Sequence, residues 1–225
     1  MKKRMLISSF MLFAVLALIC GCDDHSHHIN DPLYGSGRIV TQVRNVSDCS
    51  SINLKYAGSV YLTQDNNQSI RVEADDNIIE NVITRNDNGV LTVGLEDGCY
   101  SDVKVKIYVS LKSIEAISIN GAGNIIVQNP IASNNVACLI NGAGDINLKG
   151  SGSNLDCRIN GAGNINAFDF QSKNCTARIN GTGNCSVNVS EYLDASISGV
   201  GNIVYDGNPK LIKSSISGIG KISRK

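Results

Sequence analysis

One phrase, met six times, decides most of what this chain can become. It reads Ile-Ser-Ile-Asn-Gly-Ala-Gly-Asn-Ile at 117–125, and its copies place their first glycine at Gly121, Gly142, Gly161, Gly181, Gly199 and Gly218. Successive glycines stand 21, 19, 20, 18 and 19 residues apart. A period near twenty is the signature of a solenoid, in which each repeat makes one coil and buries its apolar side against its neighbours.

Inside each copy the side chains sort with a period of two, the period of a strand. Two positions before the first glycine stand Ile119, Ile140, Ile159, Ile179, Ile197 and Ile216; four after it stand Ile125, Ile146, Ile165, Cys185, Ile203 and Ile222. Ile117, Cys138, Cys157, Ala177, Ala195 and Ser214 form a third inward column. The residues between them, such as Arg158, Asn160, Arg178 and Asn180, are polar and should face water. The pattern predicts an all-β protein: a right-handed parallel β-helix of about 19–20 residues per coil, with equivalent strands about 4.8 Å apart. The Gly-x-Gly between two short strands is its corner, where positive φ or close backbone approach excludes a Cβ. Asn120, Asn141, Asn160 and Asn180 before the corner, and Asn124, Asn164, Asn184 and Asn202 after it, suit amide ladders along the stack. A polar strip for sugars or ions is the alternative use of the same residues.

The first 22 residues read as an export signal: Lys2, Lys3 and Arg4, an apolar run from Met5 to Ile19 too short to span a membrane, then Gly21 before Cys22. Residues 23–37 read as a polar tether, and His25, His27 and His28 within it have no cysteine or carboxylate cage around them in sequence. One domain is expected over 38–225, with regular coils from about 115. The strands before that point, among them Val-Lys-Val-Lys-Ile-Tyr-Val at 103–109, are less regular and should extend and cap the stack. Asn77–Arg85 fits a helical turn or a strand. At the far end Lys221, Arg224 and Lys225 should blunt the last edge.

The chain carries 20 basic and 20 acidic residues; losing the three basic ones of the leader leaves 17 against 20, a net charge of −3. Basic residues are not clustered and tryptophan is absent, so no nucleic-acid partner is expected. Six cysteines follow Cys22: Cys49, Cys99, Cys138, Cys157, Cys175 and Cys185. Four of them occupy inward columns and read as small core hydrophobes. Cys138 and Cys157, on adjacent coils, are also within disulfide reach, and Cys49 with Cys99 is the next candidate pair.

The arrangement Ile19-Cys20-Gly21-Cys22 resembles a bacterial lipoprotein signal. That resemblance implies lipidation of Cys22, which would become the mature N-terminus and attach the chain to a membrane of the cell envelope. An outer-membrane address is expected, with the periplasmic or surface face left open; a cleaved secretory signal or an uncleaved anchor is the alternative. The recurring Ile-x-Gly-x-Gly-x-Ile phrases, with a β-rich half ending in Leu111-Lys112-Ser113-Ile114, resemble the head GIN domain family of autotransporter adhesin heads over roughly 38–223. The resemblance implies a β-helical fold and an envelope location. The sequence shows no outer-membrane barrel up to Lys225, so self-translocation is not expected.

β-Helices also host polysaccharide lyases and hydrolases, which need converging carboxylates and a base. Here Asp145, Asp156, Asp169, Glu191, Asp194 and Asp206 take different offsets from their glycines and form no column. Glu73, Asp75, Asp76, Glu96 and Asp97 could instead converge on a cleft near Lys104 and Lys106, which would favour an enzyme; a flat polar face would favour binding. No cofactor or metal site is expected. The expected role is a non-catalytic envelope lipoprotein that presents a stiff solenoid to a glycan or to an envelope or host protein. A carbohydrate-active enzyme and a purely structural spacer are the alternatives.

Overall fold

A computed structural model describes residues 31–225; Cys22 and the three histidines lie outside them. Pro32–Lys225 forms one compact unit. Its strands are β1 (Leu33–Tyr34), β2 (Ile39–Arg44), β3 (Ser51–Leu54), β4 (Ala57–Gln64), β5 (Ser69–Asp75), β6 (Val82–Asp87), β7 (Val90–Leu95), β8 (Tyr100–Ser101), β9 (Val105–Leu111) and β10 (Ala116–Ile119). There follow β11 (Ala122–Val127), β12 (Ile131–Ala132), β13 (Asn135–Ile140), β14 (Ala143–Ile159), β15 (Ala162–Ile179), β16 (Thr182–Ile197), β17 (Val200–Asp206), β18 (Leu211–Ile216) and β19 (Ile219–Arg224). All the pairings from β10 onward are parallel. The C-terminal half is a β-solenoid of about five turns.

The phrase copies stack as the columns require. Cys138 lies opposite Cys157, Ile140 opposite Ile159, and Ile159 opposite Ile179, every one of them buried. Corners stay in register while coil length varies. The difference is absorbed on the third side of the coil, where the β15–β16 register shifts between Ala167 and Gln171 and again between Ser172 and Asn174. Phe170, the largest fully buried side chain, sits on this side opposite Gly150, and a Cβ on Gly152 would stand 2.9 Å from its ring.

The two corner glycines are required for different reasons. A Cβ on Gly142 would lie 1.9 Å from the Gly121 carbonyl oxygen, so the first glycine serves close approach alone. Gly163, the second of its pair, combines φ of +156° with a Cβ position 1.8 Å from the Gly144 carbonyl oxygen. Stacking identical corners leaves no room for a side chain at either place.

Before residue 115 the order of coils departs from the order of the chain. β3 and β4 pair in parallel with β10 and β11, with Leu54 opposite Ile119 and Gly58 opposite Gly123. Residues 51–62 are therefore a further copy of the coil, with Lys55-Tyr56 in place of Asn-Gly and Tyr56 at φ +66°. On their outer side lie β7 and β9, which come later in the chain and are again parallel to β3 and β4. From Leu111 the chain passes this earlier coil to resume at Ala116. Antiparallel strands then finish the stack: β5 on β9, β2 on β5 and β6 on β7.

The segment from Asn77 resolves into a 3-10 turn, Ile79–Asn81, followed by β6. Ile78, Ile79 and Val82 are buried and plug that end of the coil. The folded unit begins at Pro32 and not at residue 38: β1 pairs with β8, and the Asp75 carboxylate accepts the backbone N–H of Gly37 and of Lys104, each at 2.8 Å. Residues 32–37, read as tether, are thus held by backbone pairing and by a fully buried carboxylate.

Candidate binding wall

The outward residues of β14 to β16 build a polar wall, whereas β13 sets Ala137 and Leu139 beside Asp156 and Arg158. Along one strand the wall runs Asn154, Asp156, Arg158, Asn160; on the next, Asn174, Thr176, Arg178, Asn180, each opposite its equivalent or one coil step away. Inward neighbours Leu155, Cys157, Ile159, Cys175, Ala177 and Ile179 are buried, so the core fixes the orientation of this set.

Two amide ladders border the wall. Asn180 donates to the side chain of Asn160 at 2.9 Å, Asn160 to Asn141 at 2.8 Å, Asn141 to Asn120 at 2.7 Å and Asn120 to Asn53 at 2.7 Å. On the other border Asn174 donates to Asn154 at 2.9 Å and Asn154 to Asn135 at 2.8 Å. A third ladder, past the corner, runs through Asp145, whose Oδ1 accepts the side-chain amide of Asn164 at 2.8 Å. Each interior amide has one partner on either side, so these side chains are ordered along the stack. Between the borders Arg158 pairs with Asp156 at 2.7 Å and Arg178 with Asp194 at 3.4 Å. Exposed pairs of this kind add little stability. They leave charge of both signs in fixed rows, beside a shallow groove of about 260 Å³ that also reaches Glu115 and Tyr192.

Three of the five first-half acids considered for catalysis, Glu73, Asp75 and Asp76, are engaged in structure. Asp75 clamps the start of the fold; Asp76 is held by Ser36 and Arg38, which lower its pKa. Glu73 is paired with Arg71 and accepts the Tyr108 hydroxyl at 3.2 Å. A cleft of about 480 Å³ does exist at Lys104 and Lys106, but its walls are otherwise Ser59 and aliphatic residues, and no carboxylate lines it. Among the described residues no group of three His, Cys, Asp or Glu side chains is placed to hold a metal ion.

The cysteines divide by position. Cys138, Cys157, Cys175 and Cys185 are buried free thiols. Contact with Cys138, then with Cys175 and Cys185, together with burial, pushes the Cys157 thiol well above the usual range, which keeps it protonated. Cys49 is buried near Gln68 at one end of β7, whereas exposed Cys99 lies past its other end. The length of that strand separates them, so this pair does not meet.

A row that the sequence reading passed over crosses the outer face of β4, β9 and β5. Tyr61 stacks on Tyr108 with ring centroids 5.0 Å apart, and the Arg71 guanidinium lies 3.9 Å from the Tyr108 centroid. The residues sit on β4, β9 and β5, and only the out-of-order coil makes them neighbours. The alternation in each strand marks them as outward; nothing local marks them as a cluster.

Fold and repeat together define a parallel β-solenoid. The chain belongs to the family described as "Putative auto-transporter adhesin, head GIN domain", which matches residues 48–209. Among solved structures it is similar to a putative adhesin from Bacteroides fragilis, at 22% identity over 86% of this chain and 100% of that one, with a TM-score of 0.71. A putative lipid binding protein from Parabacteroides distasonis follows, at 23% identity, 87% and 100% coverage and a TM-score of 0.53. A putative adhesin from Parabacteroides merdae gives 21%, 87%, 99% and 0.51. At such identities the likeness is one of fold. No curated protein matches the chain.

Proposed function

We propose that this chain is a non-catalytic binding protein of the bacterial cell envelope, attached to the outer membrane by a lipid on Cys22, whose polar wall takes a glycan or the surface of an envelope or host protein. The observation that carries the reading is the wall itself. It repeats its asparagines along the stack and sets Arg158 and Arg178 on adjacent coils, about 4.8 Å apart, and the amide ladders hold the asparagines in place. A repeating polymer can meet such a surface in register over several units. The adhesin names of the family and of its solved relatives support the same reading, and the leader supports the anchor.

The test uses residues 32–225 on immobilised envelope and host polysaccharides, following both retention and release of new chain ends. Retention without cleavage is expected, weakened about tenfold or more when Arg158 and Arg178 are both changed to Ala, since charge-assisted contacts to both are lost. New chain ends would overturn the non-catalytic reading. Neither retention nor cleavage would move the search to protein ligands. For the anchor, Cys22→Ser is expected to shift the chain from the membrane to the soluble fraction.

A further inference from the structure

The stack of glycine corners has a first member, and nothing is seated on it. At Gly123, Gly144, Gly163, Gly183, Gly201 and Gly220 an added Cβ would fall 1.6–1.9 Å from the carbonyl oxygen of the preceding corner. At Gly58 the nearest atoms are side chains of Leu54, Val105 and Ile107, at 3.6–3.9 Å. The reason is topological: past Leu95 the chain leaves the coil, with Glu96 donating its backbone N–H to Asn81, and returns only at β9. The place of a corner is left as the cleft of about 480 Å³.

Its chemistry is two-sided. Leu95, Val103, Val105 and the Ala57–Gly58 corner make an aliphatic floor, and Lys104 and Lys106 are its only charged lining residues. Neither lysine has a carboxylate within ion-pair distance among the described residues. Glu73, the cross-strand neighbour of Lys106, is already engaged by Arg71 and Tyr108. Two lysines beside an aliphatic recess complement a ligand that is itself two-sided.

We propose that the vacant corner above Gly58 is a binding site for a small amphiphilic carboxylate, its aliphatic part on Leu95, Val103 and Val105 and its carboxylate between Lys104 and Lys106. The site lies apart from the polar wall, so its fate and that of the wall are independent. Titration of residues 32–225 with monomeric octanoate, followed by amide NMR, tests it. Octanoate should shift the resonances of Gly58, Ser59, Ala122 and Gly123 and leave those of Asn160 and Asn180 in place. Acetate, which lacks the apolar body, and octylammonium, which reverses the charge, should bind at least about tenfold more weakly, as the loss of either half of the recognition demands. In the Lys104→Glu/Lys106→Glu variant the preference should invert towards octylammonium, with Asn160 and Asn180 unchanged as a control on folding. Absence of octanoate shifts at the corner, equal binding of acetate or octylammonium, or an unaltered preference in the charge-reversed variant would each overturn the proposal.

Discussion

The two ends of the solenoid are built on opposite plans. At the N-terminal end the repeat is abandoned: β5 and β6 run antiparallel to the coils, β2 pairs antiparallel with β5, and Ile78, Ile79 and Val82 plug the core at 0%, 3% and 3% exposure. At the other end the repeat simply continues into β18 and β19, and residues of the inward columns stand in the open, Ile212 at 42% and Ile216 at 47% exposure. Ile219 at the last corner is 73% exposed. The expected charges are present but do not cover this surface; Lys225 folds back over the Phe168 ring, 4.7 Å from its centroid, and lies 3.6 Å from Asp206. A coil is stabilised by what lies on both sides of it. Closing an end therefore takes a sequence that breaks the period, and a coil with a neighbour on one side only leaves its inward columns exposed.

The largest effect separates the middle of the stack from the open end. Ile159→Asp buries an unpaired charge between two coils and should cost more than about 4 kcal/mol, enough to abolish cooperative folding. Ile216→Asp, in the same column but already half in water, should cost about 1 kcal/mol or less. Urea unfolding of the two variants measures both, and similar losses would refute the contrast.

A smaller difference is expected between the plug and the last coil. Ile78→Ala should lose about 2–5 kcal/mol, because the cavity is enclosed, while Ile212→Ala should lose about 1 kcal/mol or less. Comparison of thermal midpoints and of amide exchange in β7 and β16 decides whether the closed end is in fact the tighter one.

The smallest is a pH effect confined to one end. Ser36 and Arg38 hold the folded pKa of Asp76 below its ordinary value of 3.8. Its contribution is therefore complete above pH 3.8 and lost as pH falls through the lower folded value. Amide exchange around residues 36–38 should accelerate on acidification, whereas β18 and β19, which contain no carboxylate, should show no matching change once intrinsic rates are corrected.

Much of the regular half was legible because its period is local: every inward Ile stands at a fixed offset from a glycine, and two positions along a strand always return to the same face. The coil at 51–62 carries the same inward pattern, Ile52, Leu54, Val60 and Leu62, yet Lys55-Tyr56 conceals the corner. Tyr56 takes positive φ without the glycine that usually marks it. The polar wall could be foreseen from its columns, and the tyrosine row could not, since Tyr61 and Tyr108 are 47 positions apart and meet only through strand order.

By itself, then, the sequence determined the coil: its length, its inward columns, its glycine corners and the ladders of Asn that follow from stacking them. These are near-neighbour consequences of one repeated phrase. Only the tertiary structure decided the order of the first coils, the plug, the vacant corner above Gly58 and the open last edge. Parallel strands can pair with any free edge of matching register, so a strand's place in the stack depends on which edges the rest of the chain has left unpaired.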